Sequence, residues 1–133
     1  MIGDLLSDEE EALARQVVNI AFQIHKSLGP GLLESVYEKC FCRELQLLGV
    51  PFKKQFAVDL IYKGEFIDQG LRVDLLVNDA IIIEIKAHEN YHPVWAAQVL
   101  SYLKLTGKKL AFLFNFHVPT MKEGIKRFVL TSK

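Results

Sequence analysis

Apolar residues recur at helical spacing from Leu13 through Val17, Ile20, Ala21 and Ile24, and the pattern stops at Gly29-Pro30. Ser7 followed by Glu10 forms a capping box ahead of it, so the first helix is predicted over 8–28. After Gly29-Pro30-Gly31 a second stripe, from Leu33, Val36 and Tyr37 to Phe41, Leu45 and Leu48, predicts a helix over 32–48 that Gly49 closes. The period then shortens to two. Residues 55–62 read as a strand, Lys63-Gly64 as a tight turn and 65–69 as the returning strand, before Gly70 leads into a hairpin over 71–86. His92-Pro93 opens a third helix that runs through Leu105 and ends at Gly107. The run KLAFLFNF, 109–116, predicts a strand buried on both faces, and a right-handed crossover would lay it parallel to the strand over 80–86. A short turn or helix after Pro119 leads to a last strand over 125–130. The predicted class is α+β with α/β character: a mixed sheet containing an antiparallel meander, flanked by helices.

The central hairpin, LRVDLLVNDAIIIEIK, places Asp74, Glu84 and Lys86 in an otherwise apolar stretch. Alternation puts Ile81, Ile83 and Ile85 on one face and Ile82, Glu84 and Lys86 on the other. A two-residue loop would pair Asp74 with Ile83, whereas a three-residue loop over 78–80 pairs it with Glu84. We expect the three-residue loop. Two carboxylates in contact raise one another's pKa unless a cation lies between them, which points to a divalent metal. A Lys–carboxylate ion pair across a half-exposed hairpin is the competing reading.

With 133 residues, 50% of them hydrophobic, the chain has the size of one domain spanning 1–133 and can bury a core without staples. No apolar run is long enough to span a bilayer, and the first residues are acidic where a signal peptide is basic and then apolar, so a cytoplasmic location is expected. Cys40 and Cys42 lie too close on one helix for an ordinary disulfide and are expected to pack. A formal net charge of zero argues against a general polyanion binder. Its distribution adds more. Acids cluster at Asp4, Asp8, Glu9, Glu10 and Glu11, whereas Lys108, Lys109, Lys126 and Arg127 suggest a basic C-terminal surface suited to a phosphodiester. Solvated lysines at strand and helix ends would give the same pattern.

Several chemistries are disfavoured. His88 to His92 reads HENYH, the zinc-peptidase pattern, but Pro93 prevents both histidines from sharing a continuous helix. Ser35 lacks a strand-turn-helix elbow, and Gly29-Pro30-Gly31 lacks the Lys-Ser/Thr of a P-loop. His25 and His117 are expected at the surface or the edge of the core.

A helix bearing Glu34, a strand bearing Asp74, a strand bearing Glu84-Ile85-Lys86 and a helix bearing Gln98 follow in that order. In this order the sequence resembles the PD-(D/E)XK nuclease superfamily, and more narrowly the GxxExxY family, through Gly31-Leu32-Leu33-Glu34-Ser35-Val36-Tyr37, Ile24-His25-Lys26 and Ala97-Gln98. Val73 stands where the superfamily often has Pro. The resemblance implies a restriction-endonuclease-like core and a metal-dependent nuclease acting on nucleic acid, chiefly DNA. It implies that Asp74, Glu84 and the Ile85 carbonyl hold Mg²⁺ or Mn²⁺, with Glu34 adding a ligand directly or through water. Lys86 would orient or deprotonate the attacking water, and Gln98 would position that water or the phosphate. A non-catalytic module that keeps the fold and binds nucleic acid or protein is the rival expectation. Cutting both strands of a duplex would call for a homodimer or two visits, and a protein partner could supply specificity.

Overall fold

A computed structural model describes residues 6–68 and 70–130. Helix α1, Asp8–Leu28, begins at the expected capping box: Ser7 Oγ accepts from the Glu10 amide at 3.0 Å and Glu10 Oε1 accepts from the Ser7 amide at 2.7 Å. It buries Leu13, Val17, Ile20 and Ile24, the stripe read from the sequence. His25, expected at the surface or the edge of the core, is buried, its Nε2 2.8 Å from the Val118 carbonyl oxygen. Helix α2, Glu34–Leu48, starts two residues later than expected, because Leu33 is still extended at its N-cap and Gly31 takes φ +104°. Cys42 is buried on α2 and both cysteines are free thiols, as expected of packing residues.

Strands β1 (Phe52–Ala57), β4 (Arg72–Val77), β5 (Ile81–Lys86), β6 (Leu110–Asn115) and β7 (Ile125–Val129) form one sheet in the order β1-β4-β5-β6-β7. Only β5 and β6 run parallel, joined through α3 (Val94–Thr106), which is the expected crossover. Every residue of β6 is buried. A 3-10 helix, Met121–Gly124, leads into β7. Helices α1 and α2 pack on Leu75, Val77, Ile81, Ile83, Ile85, Phe112 and Phe114, and α3 packs on Val73, Leu76, Ile82, Ala111 and Leu113 from the other side. None of the helices among the described residues is long and apolar enough to cross a membrane.

The meander is the main departure. The strand expected over 55–62 ends at Ala57, and β1 pairs directly with β4, while β2 (Ile61–Tyr62) and β3 (Glu65–Phe66) form a separate two-stranded hairpin. Val58 is drawn into the core beneath α3, its amide bonded to the Leu71 carbonyl at 2.9 Å, and this turns the chain out of β1. Ile61, Tyr62 and Phe66 have no layer above them and stay exposed. The hairpin register agrees with the three-residue loop: Val77 faces Ile81, Leu76 faces Ile82 and Leu75 faces Ile83. Asn78 and Asp79 take the left-handed conformation, φ 52° and 55°, which these two residue types tolerate better than most.

Candidate active site

The β4–β5 ladder stops at Leu75 and Ile83, one step short of Asp74 and Glu84. Beyond that point each acid fills a place that a backbone oxygen would take in a continued ladder. The Asp74 amide donates to Glu84 Oε2 at 2.9 Å, and the Ile85 amide donates to Asp74 Oδ2 at 2.7 Å. The two carboxylates therefore hold the strand ends together while the backbones part. Glu84 is buried, 8% exposed, and Asp74 is half-buried. Burial first and the Asp74 charge second push the Glu84 carboxyl up to about 8, against the lowering influence of the Asp74 amide and Lys86.

Helix α2 brings further acids. Glu34, exposed in its first turn, adds to the upward pressure on Glu84. Glu38, one turn later, is raised mainly by burial and also by Asp74. Gln55 links the two elements: its Nε2 donates to both Glu38 carboxylate oxygens at 3.2 Å and to Asp74 Oδ1 at 3.4 Å. It lies opposite Asp74 in the β1–β4 register, where that ladder is interrupted and Gln55 takes φ 48°. Sequence reasoning missed both residues. Glu38 had a signal, four positions after Glu34 and so on the same helix face; Gln55 had none until β1 was paired with β4.

Tyr37, the last residue of the Gly31-to-Tyr37 motif, builds the platform on this side. The Tyr37 hydroxyl donates to the Gly29 carbonyl at 2.6 Å and accepts from the Leu32 amide at 3.1 Å, pinning the turn that precedes Glu34. The Tyr37 ring stacks on Phe116, centroids 4.4 Å apart.

Lys86 extends from the end of β5, half-buried, with its Nζ 5.4 Å from the centre of the Trp95 ring. The chain leaving β5 is fixed by buried Asn115, whose Oδ1 accepts from the His88 and His117 amides while its Nδ2 donates to the His88 carbonyl. On α3, Tyr102 faces the acids, and its hydroxyl pKa is raised by burial and then by the charges of Glu84 and Asp74. Gln98, one turn earlier, is exposed, and its side chain makes no hydrogen bond with the described residues. The HENYH histidines frame Trp95 edge-on, with centroids 5.8 and 5.1 Å from it, and the helix begins after Pro93.

Three of the four basic candidates are already paired within the protein. Lys108 pairs with Asp79 at the hairpin tip, and Lys109 lies 3.7 Å from Glu10. Arg127 binds both Glu11 carboxylate oxygens at 3.0 and 3.1 Å. Lys126, two strands across from Glu84, sits over the Tyr91 ring at 4.8 Å. Two of the early acids, Glu10 and Glu11, thus pair with two of the late bases, Lys109 and Arg127.

Among the described residues no three His, Cys, Asp or Glu side chains form a ready-made metal cluster. The donors at the strand ends are two carboxylates, hard oxygen ligands of the kind Mg²⁺ takes in ones and twos while water and phosphate complete its shell. Glu84 has no ion-pair partner within 4.0 Å among the described residues, so a cation there would compensate a charge the interior otherwise resists. The residues fit a divalent ion.

A mixed sheet with a crossover helix, whose antiparallel centre parts at an Asp and a Glu-x-Lys, defines a restriction-endonuclease-like core. The family model of the PD-(D/E)XK nuclease superfamily matches residues 11–128, and the chain belongs to that superfamily. Its members generally use divalent metal ions. Neither the curated proteins nor the solved structures searched contain a match.

Proposed function

We propose that the protein is a metal-dependent nuclease that hydrolyses phosphodiester bonds of nucleic acid, with DNA as its substrate, and that it is a GxxExxY member of the superfamily. The observation that carries the reading is the interlocked pair Asp74 and Glu84 at the parting of β4 and β5, with Lys86 two residues on. Asp74, Glu84 and the Ile85 carbonyl would hold Mg²⁺ or Mn²⁺, with Glu34 reaching it directly or through water. The ion supplies acidification of water and neutralisation of phosphate charge. Lys86, held against Trp95, orients or deprotonates the attacking water. Gln98 reaches the same water or the phosphate from α3. Gly31 and Tyr37 support the narrower assignment, because both serve the turn that sets Glu34 at the start of α2.

The test is cleavage of linear duplex, supercoiled and single-stranded DNA with Mg²⁺ or Mn²⁺, beside Lys86→Ala purified identically. Metal-dependent cutting by the native protein alone supports the reading. Equal cutting by both proteins identifies a contaminant, and an inert protein with bound metal favours a binding module that keeps the fold.

A further inference from the structure

Between α2 and β1 lies a cleft of about 520 Å³ lined by Ser35, Glu38, Lys39, Arg43, Lys54 and Gln55, together with Cys42 and Gln46. Its lining includes Gln55, whose Nε2 donates to both Glu38 and Asp74, so the cleft lies one side chain away from the Asp74 carboxylate. Three cations line it against one carboxylate. Lys39, Arg43 and Lys54 are exposed and form no ion pair with the described residues, in contrast to Lys108, Lys109 and Arg127. Lys39 and Arg43 stand one helical turn apart, about 6 Å along the axis, a spacing of the order of that between successive phosphates of an extended strand. Lys54 faces them from the edge strand of the sheet.

We propose that this cleft is the track along which the phosphodiester backbone of one nucleic-acid strand reaches Asp74 and Glu84, with Lys39, Arg43 and Lys54 each contacting a phosphate. The proposal rests on the nuclease reading for the direction of the track, and binding can be measured apart from turnover. Unpaired cations release counterions when they meet phosphate, whereas cations already paired within the protein contribute less to that term.

The experiment is fluorescence anisotropy of a labelled single-stranded oligonucleotide in EDTA over a salt series, with cleavage assayed separately in Mn²⁺. It compares the native protein with Lys39→Gln/Arg43→Gln/Lys54→Gln, with Lys39→Arg/Lys54→Arg, and with the distant control Lys108→Gln/Arg127→Gln. The triple variant is expected to bind at least about tenfold more weakly at 0.1 M salt and to flatten the slope of log K against log salt by about 2, at roughly 0.7 per phosphate lost. The arginine variant and the distant control should retain the native slope, and far-UV spectra and melting should be unchanged throughout. Absence of native binding, native-like binding by the triple variant, or an equal loss in the distant control would overturn the proposal. If cleft-dependent binding persists and no protein cuts, the nuclease reading fails alone. If the native protein cuts and binding ignores the cleft, the track fails alone.

Discussion

Glu84 offers a prediction that needs no substrate. In the metal-free protein its carboxyl is pushed from 4.5 to about 8 by burial and by Asp74. Below the unfolded value both states hold the proton, and the full stability is present. Between 4.5 and about 8 the unfolded chain releases a proton that the folded chain keeps, so stability falls as pH rises. The slope approaches about 1.4 kcal/mol per unit, and the loss over the whole window is on the order of 5 kcal/mol, or roughly 15 °C in Tm for a domain of this size. Glu84→Gln retains an oxygen to accept the Asp74 amide and cannot ionise, so it should escape this loss. The assay is thermal melting in EDTA from pH 5 to 9 for both proteins. Titrating groups remote from Glu84 cancel in the difference, which should widen in favour of the Glu84→Gln variant up to about pH 8 and then level off. A difference that stays constant within about 0.5 kcal/mol across the range would refute the reasoning. Saturating Mn²⁺ should narrow the gap at pH 8 by stabilising the native protein, by about 2.7 kcal/mol at a hundredfold excess over Kd, and should leave Glu84→Gln little changed.

Further outcomes follow from named contacts. Lys86→Ala should lower kcat by roughly 10²–10⁴-fold while Tm moves only a few degrees, because the side chain is half-buried and packs against Trp95 without an ion-pair partner among the described residues. Tyr37→Phe leaves the Leu32 amide and Gly29 carbonyl without their shared partner and should cost about 1–3 kcal/mol in urea unfolding, with a loss of cleavage if Glu34 acts there. Gly124→Ala would drive a methyl into the Asn115 carbonyl oxygen, and a cost of about 1–3 kcal/mol is expected; unchanged Tm would show that the backbone yields there.

The hairpin was legible because alternation leaves few ways to place three charges in a run of Val, Leu and Ile, and only one loop length brings the two acids face to face. Helix α1 was legible from its long uninterrupted period and strand β6 from its unbroken apolar run, two patterns with little local competition. The first strands were not. Gln55 takes a left-handed conformation without the usual glycine, and Val58 leaves the alternation for the core beneath α3. Both are decided by contacts with residues far along the chain. Counting charges misled in a similar way, since Arg127 and Glu11 lie 116 positions apart and their pairing cannot be seen from either neighbourhood. Glu34, Asp74, Glu84 and Lys86 were visible as residue types at a spacing; Glu38 and Gln55 required the third dimension.

The end of β6 couples both sides of this site mechanically. Asn115 clamps the segment after Lys86, the Phe116 amide holds the Lys86 carbonyl at 2.9 Å, and the Phe116 ring carries Tyr37 and hence the start of α2. Two adjacent residues with no chemistry of their own thus act as a common hinge pin for Lys86 and Glu34. A change at Phe116 would displace both arms at once, so Phe116→Leu combined with a variant of either arm should show strong non-additivity in a double-mutant cycle, as in a linkage with one shared pivot.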